Sequence, residues 1–347
     1  MAYEMNSRQQ AVNRARQWNR IIAGTVLVAL LAGCAKKEER LPGVRLDLRA
    51  PLDQAADENA PAAKQTTDQN RALPIKLPAA RANSEWTHRN GTAEHRIVHP
   101  ALGRNLSHLW NAAIGAGDSR KYRITADPVV SAGRVFTLDS HATVMAHSTG
   151  GAKIWERDLT PPSDRSGEAS GGGLAVDGNR LYVTTGYGAL VALDAATGAE
   201  IWVQKLGAAA TGSPTVRAGI VYVTSRDSSA WAIDAKNGRV KWELPGAPTT
   251  SVVVGGTAPA VSDKFAIFPF GSGELVAAFR KGGVRTWASF VSGKRRGRAY
   301  ADITDITGDP VISGNVVYAG SHSGRVVALD LGSGERIWTA NEGAFSP

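Results

Sequence analysis

Few side chains in this sequence are spaced for chemistry. The 347 residues include seven histidines (His88, His95, His99, His108, His141, His147 and His322) and one cysteine, Cys34. A lone thiol forbids an intramolecular disulfide and every zinc or redox site that needs two thiolates. His95 and His99 stand four apart, the spacing with which a helix presents two zinc ligands. Their flanks, Pro100 included, predict a loop instead, so no metal site is expected. Ser170-Gly171-Gly172-Gly173 lacks the Lys-Ser/Thr that completes a phosphate-binding loop and reads as a turn leading into a strand. Asp302, Asp305 and Asp309 are spaced by three and four, which does not match an EF-hand loop. Gly-x-Ser-x-Gly does not occur. Lys294, Arg295, Arg296 and Arg298 supply four charges, fewer than a nucleic-acid footprint needs, and predict a solvated loop with no nucleic-acid partner. The expectation is a binding protein with no catalytic residue, metal or cofactor.

The cysteine has a different use. Arg8, Arg14, Arg16 and Arg20 stand against Glu4, and an uncharged run of 13 residues follows from Ile21 to Gly33. That run is short of the about 20 residues that span a bilayer. A basic start, a short apolar middle and small residues at the end describe a secretory signal. Its end, Leu31-Ala32-Gly33-Cys34, resembles the bacterial lipobox. The resemblance implies that residues 1–33 are a lipoprotein signal peptide and that Cys34 is acylated, with enough chains for stable anchoring. In lipoproteins resembling those of enteric bacteria an Asp after the Cys retains the protein at the inner membrane, so with Ala35 there the resemblance implies the periplasmic face of the outer membrane. The formal net charge of +9 falls to +6 when four Arg and one Glu leave with the signal, a modest excess. Residues 34–85 show no periodicity and are punctuated by Pro42, Pro51, Pro61, Pro74 and Pro78, which predicts a flexible tether after the lipid anchor.

A composition 43% hydrophobic, with nine Trp, excludes disorder for the chain as a whole. Tryptophans recur at Trp110, Trp155, Trp202, Trp242, Trp287 and Trp338, with spacings of 45, 47, 40, 45 and 51 residues. Ala192-Leu193-Asp194-Ala195-Ala196-Thr197-Gly198-Ala199-Glu200-Ile201-Trp202 shows the shared ending best. Four β-signals separated by Gly, Asp and Asn turns precede or include each ending after Trp110, over residues 126–159, 173–206, 212–245, 257–290 and 308–340. One such set is a four-stranded propeller blade. Each Trp offers a large flat surface to the neighbouring blade and is read as structural docking. Asp194 is expected to accept bonds from turn amides, and Ser148 and Arg280 are read as its replacements in the first and fourth repeats.

These repeats resemble those of the quinoprotein-type, PQQ-like β-propellers. The resemblance implies an all-β fold of four-stranded blades in an eight-bladed family, with about five full blades over residues 86–347. By that count the sequence is expected to be C-terminally truncated, with the Trp110 segment the N-terminal share of a further blade. Quinoprotein dehydrogenases are the enzymatic alternative, but the adjacent Cys pair many of them use is impossible with Cys34 alone. Signal, lipobox, tether and repeats together resemble the BamB family of outer-membrane assembly lipoproteins, in its alphaproteobacterial form. That resemblance implies a non-catalytic scaffold of the BAM complex that binds the periplasmic POTRA domains of BamA and assists insertion of β-barrel proteins. Contacts with nascent barrel strands are a further implication, and an envelope propeller with another client is the rival. In the family, two loops make the BamA contact, here matched by Val252, Val253, Val254 and Gly255, and by Asp302, Asp305 and Thr307.

Overall fold

Short apolar runs, interrupted by tight turns, fold the repeats into antiparallel hairpins. The computed structural model describes residues 76–249, 255–292, 304–322 and 324–340. The chain divides into two compact units, residues 1–74 and 75–347, and all described residues belong to the second. The signal segment, Cys34 and most of the expected tether lie outside the described residues.

Five four-stranded sheets follow one another in chain order, each a meander whose neighbours in sequence are neighbours in the sheet. Blade 1 holds β1 (Val129–Ser131), β2 (Arg134–Leu138), β3 (Thr143–Ser148) and β4 (Lys153–Asp158). Blade 2 holds β5 (Gly172–Asp177), β6 (Arg180–Thr185), β7 (Ala189–Asp194) and β8 (Glu200–Lys205). Blade 3 is built from β9 (Thr215–Arg217), β10 (Ile220–Thr224), β11 (Ser229–Asp234) and β12 (Val240–Pro245). Blade 4 comprises β13 (Ala260–Val261), β14 (Phe265–Pro269), β15 (Glu274–Phe279) and β16 (Arg285–Phe290). Blade 5 comprises β17 (Val311–Ser313), β18 (Val316–Gly320), β19 (Val326–Asp330) and β20 (Arg336–Ala340). All five expected repeats are therefore sheets, and among the described residues the secondary structure is β throughout. The Ser170–Gly173 run is a blade entry, with Gly172 and Gly173 the first two residues of β5.

The core lies between blades, because successive side chains of a strand point to opposite faces. In β10, Val221 and Val223 pack toward blade 2, while Ile220 and Tyr222 pack toward blade 4. In β14, Ala266 and Phe268 face blade 3, while Phe265 and Ile267 face blade 5. Both faces of these middle strands are buried, so their sequences read as continuous apolar runs.

Each blade carries a cross-strand row. Tyr182, Ala192 and Trp202 lie opposite one another on β6, β7 and β8, and the Tyr and Trp ring centres are 5.9 Å apart across the small alanine. Phe136 with Trp155, Tyr222 with Trp242 and Tyr318 with Trp338 repeat the arrangement at 5.9, 6.0 and 5.9 Å. A larger residue at the central position would separate the rings, which is why Ala146, Ala192, Ala232 and Ala328 recur there. The same Trp then reaches the next blade. Trp155 donates its indole N–H to Ala195 O, Trp202 to Ala235 O, Trp242 to Arg280 O and Trp287 to Leu331 O, at 2.9–3.3 Å. Their rings lie over Gly198, Gly238, Gly283 and Gly334 of those turns. Trp110 docks on blade 1 alike, over Gly151 and onto Thr149 O at 2.9 Å, although Leu106 to Trp110 form no strand.

The turns bear out the role expected of Asp194, whose Oδ1 accepts the N–H groups of Ala196 and Thr197 at 2.9 Å each. The Thr197 hydroxyl, ahead of those amides, holds its carboxyl below the usual carboxylate range. Ser148 takes over in blade 1, its Oγ accepting Ala152 N–H at 3.1 Å. The reading of Arg280 is corrected. Phe279 N–H donates to Val284 O and Gly283 N–H to Phe279 O, the bonds that Asp194 makes with Ala199 and Gly198. Phe279 is thus the counterpart of Asp194, and Arg280 that of Ala195. The adjacent Ala277 and Ala278 both suit the small central position, and the structure places Ala277, not Ala278, opposite Trp287. Phe279 stacks on Phe265 at 5.5 Å with the Lys264 ammonium over both rings, and Arg280 turns inward to Asp263 O and Arg217 O.

Gly238 shows how little room this docking leaves. Its φ is +74°, and a Cβ there would sit 2.7 Å from the Trp202 ring. Gly238→Ala is expected to cost about 2–4 kcal/mol of stability through backbone strain and overpacking. A denaturant midpoint unchanged from the parent would show that the ring can move aside.

Candidate functional site

Inner strands of a propeller leave their outward hydrogen-bonding groups facing the central bore, and buried backbone groups need partners. Here residues 85–95 supply them for each of the five described blades. Trp86 exchanges two bonds of 2.8 Å with Val130 of blade 1, and Val176 of blade 2 donates to Thr87 O at 2.9 Å. In blade 3, the His88 Nε2 lies 3.0 Å from Val216 O and 3.1 Å from Val216 N. The chain then reverses at Asn90-Gly91, with Gly91 N–H donating to His88 O. Val261 of blade 4 donates to Ala93 O at 2.7 Å, and Ile312 of blade 5 to Glu94 O at 2.9 Å. His95 donates from Nδ1 to Pro310 O at 2.9 Å.

Side chains add a charged network. Arg89 donates to Asp127 at 2.9 Å and to Gly256 O at 3.0 Å, and it pairs with Asp309 at 3.4 Å. Asp309, only 3% exposed, also accepts Asn90 Nδ2 at 3.0 Å and Ala258 N–H at 2.8 Å. Arg217 bridges Glu94 at 3.3 Å and Asp263 at 2.7 Å. Burial, with His95 and Arg217 adding to it, pushes His88 down to about 4. Burial also lowers His95, against the opposing pull of Asp309 and Pro310 O. Neutral imidazoles are therefore the working form at this hub.

At the rim, Gly255 and Asp305 line one shallow cleft of about 30 Å³ together with Thr211, Arg226 and Thr257. The two loops singled out in the sequence thus meet. Asp305 is buried at 6% exposure and its carbonyl accepts His322 N–H, so it shapes the second loop from within. Thr307 is half-buried and does not line the cleft. Val252, Val253, Val254 and Asp302, and the basic residues 294–298, lie outside the described residues. Arg89 ties the rim to the hub, since Gly256 adjoins Gly255 and Asp309 lies two residues beyond Thr307. His95 and His99 part company: His99 bonds Pro78 O at 2.7 Å, on the outside.

A family model described as outer membrane protein assembly factor BamB matches residues 140–347, more than half of the chain. The chain belongs to the BamB family. The outer membrane protein assembly factor BamB of Moranella endobia is 26% identical over 245 residues, covering 69% of this chain and 63% of that relative. The chain thus spans less than two thirds of that relative's length. Among solved structures, BamB from Moraxella catarrhalis superposes with a TM-score of 0.55 at 20% identity, over 64% of this chain and 66% of that one. The quinohemoprotein alcohol dehydrogenase of Comamonas testosteroni gives 0.56 at 20% identity, over 76% and 50%. At that identity the likeness shows the shared propeller fold alone.

Within this BamB-family chain, sequence reading missed the hub. Trp86-Thr87-His88-Arg89-Asn90-Gly91 and Glu94-His95 read as loop because they follow neither helical nor strand periodicity. One signal was available: two histidines, an arginine and a tryptophan gathered around an Asn-Gly turn.

Proposed function

We propose that this chain is a non-catalytic scaffold of outer-membrane β-barrel assembly, held at the periplasmic face of the outer membrane by acyl chains on Cys34. In this reading residues 34–85 are the tether and residues 86–347 the propeller. The partner is the POTRA region of BamA within the BAM complex, reached through the loops containing Val252 to Gly255 and Asp302 to Thr307. The observation that carries the reading is the meeting of Gly255 and Asp305 at one cleft of a BamB-family propeller. The hub supports a structural role for the bore, because the chain's own residues occupy the inner-strand edges there.

Asp305 is buried, so its charge reversal would disturb the loop itself. Thr307→Arg and Val253→Asp are the sharper variants. Both are expected to lower co-purification of BamA from solubilised membranes at least tenfold while the far-UV spectrum and denaturant midpoint stay put. Recovery of BamA equal to the parent's with both variants would remove these loops from the contact, and no BamA with the parent would defeat the proposal.

A further inference from the structure

We infer that the inner edges of the five blades form a binding site for a peptide folded through two tight turns, and that residues 85–95 of this chain are its resident ligand, held by the site itself and not by covalent continuity with the blades. This assignment is independent of the partner reading. The geometry is that of a docked peptide. Backbone bonds run to the inner strands of blades 1, 2, 4 and 5, and the imidazole of His88 replaces them at blade 3. Main-chain bonds of this kind supply affinity in strand-addition complexes, and side chains supply specificity. Here Arg89 and Asn90 converge on the buried Asp309, Glu94 meets Arg217, and His95 reaches Pro310 O. The ligand class is therefore defined: carbonyls placed for Val176, Val261 and Ile312, a neutral imidazole for Val216, and a guanidinium with a neighbouring amide for Asp309.

The segment is also closed on itself. Arg81 N–H donates to His99 O at 3.0 Å and Ala101 N–H to Arg81 O at 2.7 Å, so residues before and after the docked stretch hold each other. The connection onward to β1 reaches that site through Asp127, at its far end. Residues 103–107 are exposed throughout, with Leu106 at 73%. A break there leaves every bond above intact.

The test uses the full-length chain with a site-specific protease sequence placed between Gly103 and Ser107, cut after folding. On a native sizing column the fragment ending near residue 104 is expected to travel with the blades, with tryptophan fluorescence unchanged. A labelled synthetic peptide of residues 84–98 is expected to replace it on prolonged exchange. The same peptide carrying Arg89→Ala and Asn90→Ala is expected to bind at least tenfold more weakly. Separation of the fragment on the column, unfolding on cutting, or a native peptide binding no better than its scrambled sequence would each overturn the inference.

Discussion

Trp287→Ala is expected to lower the unfolding free energy by about 3–5 kcal/mol, the range for large buried truncations. Trp338→Ala, at the same position of the next repeat, is expected to cost only about 1–2 kcal/mol. The difference follows from what each ring touches. Trp287 is 8% exposed, lies over Gly334 and donates to Leu331 O of blade 5 at 2.9 Å. Its loss would leave a cavity between two blades and an unpaired carbonyl. Trp338 is 44% exposed and retains the ring contact with Tyr318 inside its own blade. Equal shifts in denaturant midpoint for the two variants would mean that packing within a blade, not docking onto the next, carries the stability.

Acidification should loosen the hub before it affects anything else. His88 and His95 have folded-state values lowered from the ordinary histidine value, and His88 lies at about 4. The unfolded chain therefore takes up protons first, near pH 6.5, and stability present above that pH is lost as pH falls toward 4. By pH 5 the loss from His88 alone is about 2 kcal/mol, with His95 adding in the same direction. The cause is structural. A proton on His95 Nε2, which meets no partner among the described residues, would add a buried and unsatisfied donor. Arg89 and Arg217 oppose a positive charge at the hub, and Asp309 favours it. The turn aspartates do not confuse this window. Asp194, Asp234 and Asp330 are held below the usual carboxylate range by turn hydrogen bonds, and their contribution begins to fall only below about pH 4.5. Urea titrations at pH 7.5, 6 and 5 would show the effect, and His88→Asn should flatten it. A parent stability curve flat across that range would refute the assignment.

The blades were legible because a repeat states its own architecture several times over. A strand pattern that is ambiguous once becomes unambiguous when five copies share turn residues and a Trp in phase. Where one copy offered two equivalent small residues, the reading slipped. Two adjacent alanines, Ala277 and Ala278, both fit the small central position, and taking Ala278 for it shifted the alignment by one residue and exchanged Phe279 for Arg280.

The hub was illegible for the opposite reason. Residues 85–95 occur once, follow no period, and bond to residues between about 40 and 220 positions away, so nothing local marks their partners. Likewise the two rim loops were identified by resemblance, but that Gly255 and Asp305 line one cleft, and that Asp305 is buried in it, depends on how blades 3 to 5 stack.

The sequence by itself determined the blades, their order and the role of the docking tryptophans, because short apolar runs, turn chemistry and a regular large aromatic are local and repeated. Only the tertiary structure decided what fills the bore and which histidines are buried. Inner-strand edges must be satisfied wherever they converge, and that convergence exists only once five sheets are arranged around one centre.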